Sequence, residues 1–171
     1  LNKKTSHASV AIAYDSRIKS DVFAKAAAEV LAANGITAHL YPQLMPTPAL
    51  SFAVRHLKCD AGICITASHN PAKYNGYKAY GSDGCQVALE MADAILDEIN
   101  QLDIFRDFKH MDYDTAVEQG SIKGIGEDVV TAFLNAVKSQ SILDCSNSDL
   151  KVVYTPLNGS GKMCVTRIFD M

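Results

Sequence analysis

Ser68 stands in Thr66-Ala67-Ser68-His69-Asn70-Pro71, with Asn75-Gly76-Tyr77-Lys78 close behind it. A serine hydroxyl is a nucleophile only where its surroundings activate it, and a lysine is an acid or base only where its pKa is lowered. The run before the serine, Ala61-Gly62-Ile63-Cys64-Ile65, is short, apolar and partly β-branched. It reads as a strand buried on both faces. Asn70-Pro71 ends the segment, because proline restricts its predecessor and brings no N–H. Ser68 is therefore expected on a loop at the C-terminal end of a core strand, the edge where open α/β sheets bind ligands. Taken singly, these residues have other readings: Ser68 as a turn serine, Lys78 as a solvated surface lysine, Arg17 as a surface cation. Adjacency alone does not make Ser68 and His69 a dyad. The nucleophile elbow G-x-S-x-G is absent, since Thr66 and Asn70 fill the glycine positions.

Several elements must position these groups. Val10-Ala11-Ile12-Ala13-Tyr14 reads as a first buried strand leading into Asp15-Ser16-Arg17. A helix is expected over 21–34, with Ser20 as its N-cap, Asp21 at the positive dipole end and Gly35 just past its end. A second strand is expected over 36–41. Thr47-Pro48 reads as a helix start, a capping hydroxyl followed by proline, for a helix running to about 57. The 61–65 strand follows, so the order β-α-β-α-β predicts a parallel sheet with right-handed crossovers. Beyond it come a short strand at 76–80, a turn at Gly81-Ser82-Asp83-Gly84 and an amphipathic helix over 85–102. Residues 103–126 read as polar and irregular, 127–138 as a helix, 139–149 as a Ser/Asn/Asp-rich linker and 150–154 as a fresh strand. The domain boundary is expected near 145–150.

The chain has 171 residues, and 48% of them are hydrophobic against 20% charged, which is a globular composition. With a net charge of −3 and no basic stripe, nucleic acid is not an expected partner. No apolar run is long enough for a bilayer, and no secretory signal is visible at Leu1. The five cysteines are scattered and show no C-x-x-C, which fits reduced thiols in a cytoplasmic protein. Cys64, inside the core strand, reads as a small hydrophobe. Gly159-Ser160-Gly161-Lys162 resembles the end of a P-loop, but Met163 follows where Ser or Thr is required. Gly124-x-Gly126 has Val129 in place of the third glycine, so it is no dinucleotide fingerprint. Asp112 and Asp114 read as a solvated turn, and the histidines show no metal-ligand spacing with the cysteines.

Ile65-Thr66-Ala67-Ser68-His69-Asn70-Pro71 followed by Tyr74-Asn75-Gly76-Tyr77-Lys78 closely resembles the phosphoserine loop of the α-D-phosphohexomutases. Tyr14-Asp15-Ser16-Arg17 resembles that family's first-strand arginine motif, and Met45-Pro46-Thr47-Pro48-Ala49 its proline-threonine-proline loop. The run from Val152 through Thr155-Pro156-Leu157-Asn158-Gly159-Ser160-Gly161 is similar to the opening strand and turn of its second domain. The motifs fall in the family's order and are closest to its phosphoglucomutase/phosphomannomutase branch.

The resemblance implies an α/β fold, a three-layer α/β/α domain with a mixed, mostly parallel sheet. It implies that Ser68 carries a phosphoryl group, gives it to a hexose phosphate and takes the other phosphate back from the bisphosphate, moving phosphate between the 1- and 6-positions. Lys78 would be the general acid/base. Arg17 and His69 would hold phosphoryl oxygens, for which a planar guanidinium fork is suited. Mg²⁺ would bind a phosphoryl oxygen on Ser68, with glucose 1,6-bisphosphate as activator. The family's Asp-Gly-Asp metal loop and its sugar-reading loops have no match here. The implied organisation is a fragment: domain 1 over 1–148 and the first strand and turn of a truncated domain 2 over 149–171, with the rest of domains 2–4 missing. Residues 150–171 are then expected to be mobile or paired with a neighbouring chain. A non-catalytic binding domain of the same fold is the alternative, and a serine hydrolase is disfavoured by the missing elbow.

Overall fold

The computed structural model describes residues 7–142 and 149–171. Four strands and three helices carry the topology that matters. They are β1 (Ser9–Tyr14), α1 (Ser20–Ala33), β2 (Thr37–Leu40), α2 (Thr47–His56), β3 (Ala61–Ile65), β4 (Tyr77–Gly81) and α3 (Leu89–Asn100). Then follow α4 (Tyr113–Glu118), β5 (Ile122–Gly124), α5 (Glu127–Lys138) and α6 (Lys162–Asp170). The five strands form one sheet in the order β4-β3-β1-β2-β5. β1, β2, β3 and β5 run parallel, and β4 pairs antiparallel to β3, giving the mixed, mostly parallel sheet expected. β1 is central, with β2 on one side and β3 on the other, so the chain reverses its direction of travel across the sheet there. A crevice opens at such a switch point beyond the carboxyl ends of the strands.

Strand alternation sends side chains to two cores. Val10 and Ile12 face α1 and α4 among Ala24, Ala28 and Ala116, while Ala11 and Ala13 face α2 and α5 among Leu50, Val54, Phe133 and Leu134. The sheet is thus covered on both faces, which explains why β1 and β3 read as near-continuous apolar runs. Alanines dominate the buried face of α1, and small side chains let a helix approach a sheet closely. Gly35 ends α1 with φ +73°, the left-handed conformation that a glycine takes without steric cost.

Several expectations are corrected. Ser20 is not a cap: Lys19 holds that place with φ 63°, and Ser20 is the first helical residue, its hydroxyl drawn to Asp15 rather than to a helix N–H. Pro46 occupies the cap before α2, and Thr47 is already helical, with its hydroxyl 3.8 Å from the Cys64 sulfur. Residues 103–126 are not wholly irregular, since they contain α4 and β5. Asp112 caps α4 by accepting the Thr115 N–H, which holds its carboxyl below the usual carboxylate range. The helix expected over 85–102 forms over Leu89–Asn100, and none of its residues is buried.

Residues 150–154 form no strand, although their composition favours one. A strand exists only as a pairing, and this segment joins neither edge of the sheet. After it, Lys162–Asp170 forms a helix that the sequence reading omitted. α6 is not adrift: Cys164 is buried in the core beside α5, and Arg167 pairs with Glu127 at 2.5 Å. The expected domain boundary falls largely on 143–148, outside the described residues. Among the described residues no helix is long and apolar enough to cross a membrane.

Candidate active site

Tyr14 of β1 lies beside Ile65 of β3, so Asp15 and Thr66 leave the sheet as neighbours at the same edge. Their adjacency is sealed by the Asp15 N–H donating to the Ile65 carbonyl at 3.1 Å. The loop after β3 is a tight structure. The Ser68 N–H donates to Thr66 Oγ1 at 3.0 Å, and the Asn70 N–H to the Ala67 carbonyl at 3.0 Å. Ser68 itself has φ 53°. For a residue with a Cβ this left-handed geometry costs about 1–3 kcal/mol and persists only where the surroundings impose it.

β4 returns beside β3 and brings Lys78 back to the loop. Its Nζ donates to Ser68 Oγ at 2.7 Å, the central contact of the site. The pairing is held at its start by the Thr66 N–H donating to the Gly76 carbonyl at 3.0 Å. A Cβ on Gly76 would lie 2.6 Å from the Thr66 carbonyl oxygen, so only glycine permits this approach. Cys64 lies buried in β3, and burial pushes its thiol up from the ordinary value, which keeps it in the protonated form of a core residue.

Arg17 reaches across from the β1 loop. Nη1 donates to the carbonyls of Tyr74 at 2.9 Å and Pro71 at 3.2 Å. Nη2 donates to the carbonyls of Asn70 at 2.6 Å and Ser68 at 2.7 Å, with Ala67 O at 3.5 Å. Nε lies 3.5 Å from Asp15 Oδ2 and makes no hydrogen bond. Asp15 Oδ1 accepts the Arg17 N–H at 3.0 Å and the Ser20 hydroxyl at 2.9 Å, and Ser20 Oγ accepts Asn75 Nδ2 at 2.9 Å. His69 is exposed beside Ser68.

Arg17, Ser68 and His69 line an open cleft of ≈ 700 Å³ together with Thr47, Asn158 and Ser160. The Ser16 hydroxyl donates to the Asn158 carbonyl, bringing the segment before α6 to the cleft. Sequence reasoning singled out Ser68, Lys78, Arg17 and His69, and the structure brings all four to one edge. It missed the support given by Asp15, Ser20 and Asn75, and the wall formed by Asn158–Ser160. Asp15 and Asn75 lay inside the quoted motifs, which was the available signal. Ser20 was given a local role that hid its long-range one.

The sequence matches the model of the family described as phosphoglucomutase/phosphomannomutase, alpha/beta/alpha domain I, over residues 1–104. The chain belongs to this family. It is 40% identical over 168 residues to a phosphoglucomutase of Staphylococcus saprophyticus, covering 98% of this chain and 30% of that protein. A phosphoglucomutase of Staphylococcus haemolyticus is 39% identical over 165 residues, covering 94% of this chain and 29% of that one. The chain thus spans about 30% of the length of the curated relatives it matches. The crystal structure of the Paramecium phosphoprotein pp63/parafusin, a phosphoglucomutase in open form, superposes with a TM-score of 0.73 over 95% of this chain and 34% of that one. At 20% identity that likeness speaks for the fold.

Family membership implies Mg²⁺ in the complete enzymes. Among the described residues no group of three or more His, Cys, Asp or Glu side chains is gathered to hold a metal ion. Asp15, the carboxylate lining the cleft, is committed to Arg17 and Ser20. Mg²⁺ is held by one or two carboxylates together with phosphate oxygens and water, and among the described residues the cleft offers no uncommitted carboxylate to complete such a set.

Proposed function

We propose that this chain is the phosphoserine-bearing domain of a hexose-phosphate mutase, and that Ser68 is the residue that carries phosphate. The Lys78 Nζ to Ser68 Oγ contact at 2.7 Å supports this reading most directly. In phosphate uptake from a sugar bisphosphate, Ser68 Oγ bonds to phosphorus as the bond from phosphorus to the sugar oxygen breaks. The proton leaving Ser68 ends on the sugar hydroxyl, and Lys78 is the group placed to relay it. In the reverse direction the sugar hydroxyl surrenders its proton and phosphate returns to the sugar at the other position, so phosphate moves between carbons 1 and 6. His69 faces the same cleft as a donor to phosphoryl oxygens, and Arg17 acts at the same loop. Glucose 1,6-bisphosphate is the activator and phosphate source in this scheme.

Incubation with glucose 1,6-bisphosphate, followed by mass-spectrometric mapping, is expected to place one phosphate on Ser68 and none on the Ser68→Ala chain. Labelling at another serine, or equal labelling of Ser68→Ala, overturns the assignment. Sustained conversion of glucose 1-phosphate to glucose 6-phosphate is not expected from these 171 residues alone. Phosphoryl transfer depends on positioning and charge neutralisation, and this cleft offers one wall for the sugar and no fitted metal site. A coupled assay showing steady turnover, lost in Ser68→Ala, would contradict that.

A further inference from the structure

An arginine has five N–H bonds, one on Nε and two on each Nη, and no acceptor. In Arg17 both Nη1 hydrogens are taken by the carbonyls of Pro71 and Tyr74, and both Nη2 hydrogens by those of Ser68 and Asn70. The remaining Nε–H lies against Asp15. The side chain is only 12% exposed. The four Nη hydrogens are taken, and the unbonded Nε–H is buried, so no accessible N–H of the guanidinium faces the cleft for a phosphoryl oxygen in this arrangement. We infer that Arg17 is a positioning residue: it holds the reacting loop by its backbone carbonyls, and sets Ser68 against Lys78, rather than gripping phosphate itself.

The geometry explains how the loop keeps its shape. Carbonyl oxygens that all point inward repel one another unless a cation sits among them, and a planar fork satisfies four at once where an ammonium would supply a single point charge. With those carbonyls drawn in, the Ser68 side chain projects from a left-handed residue toward the cleft. Asp15 steadies the guanidinium from the far side, and Ser20, buried and bonded both to Asp15 and to Asn75, ties this anchor to the start of β4. One connected chain of contacts therefore runs from the arginine to the strand bearing Lys78. The role assigned to the loop rests on the proposed phosphate-carrying serine, but the clamp itself is a statement about order and can be measured without any reaction.

Hydrogen exchange resolved to single amides in this chain tests it. Arg17→Lys keeps the charge and removes the fork, and Arg17→Gln removes both. In both variants the amides of Asn70 and Tyr74 are expected to exchange at least roughly 30-fold faster, while those of Ile12 and Ile63 in the core strands change less than about threefold. Unchanged protection at Asn70 and Tyr74 overturns the inference. If either variant fails to fold, the unmutated chain decides. Its Arg17 Nη hydrogens are expected to give separate, slowly exchanging NMR signals; a single averaged, freely rotating signal overturns the clamp. Phosphate uptake at Ser68 supplies the functional arm. A clamp predicts a lower maximal rate of labelling by Arg17→Lys with an unchanged half-saturating concentration of glucose 1,6-bisphosphate. A raised half-saturating concentration with intact loop protection would make Arg17 a phosphate ligand instead. Loop protection and Ser68 labelling are separate readouts, so failure of the clamp and failure of the phosphoserine assignment are distinguishable.

Discussion

Along the Ser68 loop the carbonyls of Ser68, Asn70, Pro71 and Tyr74 all meet one guanidinium, whereas along α3 Leu89, Ile95, Leu96 and Ile99 all stay exposed. Both segments were conspicuous in the sequence. The loop is polar, short and irregular, yet its backbone groups are bonded from several sides. α3 has a regular apolar stripe, yet buries nothing. α5 has the same length of 12 residues and buries Val129, Val130, Phe133 and Leu134. A helical period states that a face is available for burial. It does not state what covers that face, because covering is a property of the neighbour. The loop teaches the converse, that order can come from one half-buried cation brought in from the end of another strand.

This contrast can be broken by substitution. Lys78→Met is expected to slow phosphate uptake by Ser68 by roughly 10²–10⁴-fold, the usual worth of a general acid/base. Intact circular dichroism should accompany the loss. A rate near that of the unsubstituted chain would reduce Lys78 to an ordinary surface lysine and remove the loop's claim to special status. Next in size, Leu134→Ala on α5 should cost about 2–5 kcal/mol in urea unfolding, since it empties a packed core site; Leu134 is 1% exposed.

Gly76→Ala probes the loop from within. Its Cβ would press on the Thr66 carbonyl, and overpacking of this kind costs about 1–3 kcal/mol. A drop in stability with faster exchange at the Thr66 amide is the expected pair of results, and a neutral substitution would show that the β3–β4 entry is looser than described. Smallest of all, Ile99→Ala on α3 should change the stability of this chain by no more than about 0.5 kcal/mol. A loss comparable with Leu134→Ala would mean that the α3 stripe is covered in solution, and the contrast would collapse.

The legible parts of the fold are those whose signal is local. β1 and β3 announce themselves because a strand covered on both faces is apolar nearly throughout, β2 because Ala38 and Leu40 alternate with Thr37 and His39, and α1 and Gly35 because a helix and its left-handed terminator have their own pattern. β5 was missed because it offers three residues with only Ile122 buried, and its existence depends on β2 lying alongside. The 150–154 run was misread for the opposite reason: its β-branched residues advertise a strand for which the described sheet supplies no partner. At the site, residue types and motifs located Ser68, Lys78, Arg17 and His69. Ser20 was misassigned because a hydroxyl before a helix suits a cap, while its bonds to Asp15 and Asn75 come from tertiary structure. Nothing in the spacing of Arg17 foretells which carbonyls its fork will meet.

The antiparallel pairing of β3 with β4 also sets an order of events during folding. Ser68 and Lys78 are only 10 residues apart in the chain. A loop of that size closes in about 10–100 ns, and a hairpin forms in about 1–10 μs. By contrast, joining β5 to β2 brings Ile122 against Ala38, a long closure whose entropic cost must be met before any contact rewards it. The two strands bearing the groups proposed to handle phosphate can therefore meet early, whereas the Arg17 contacts that set Ser68 against Lys78 close over 51 residues and the far edge of the sheet over a longer span still.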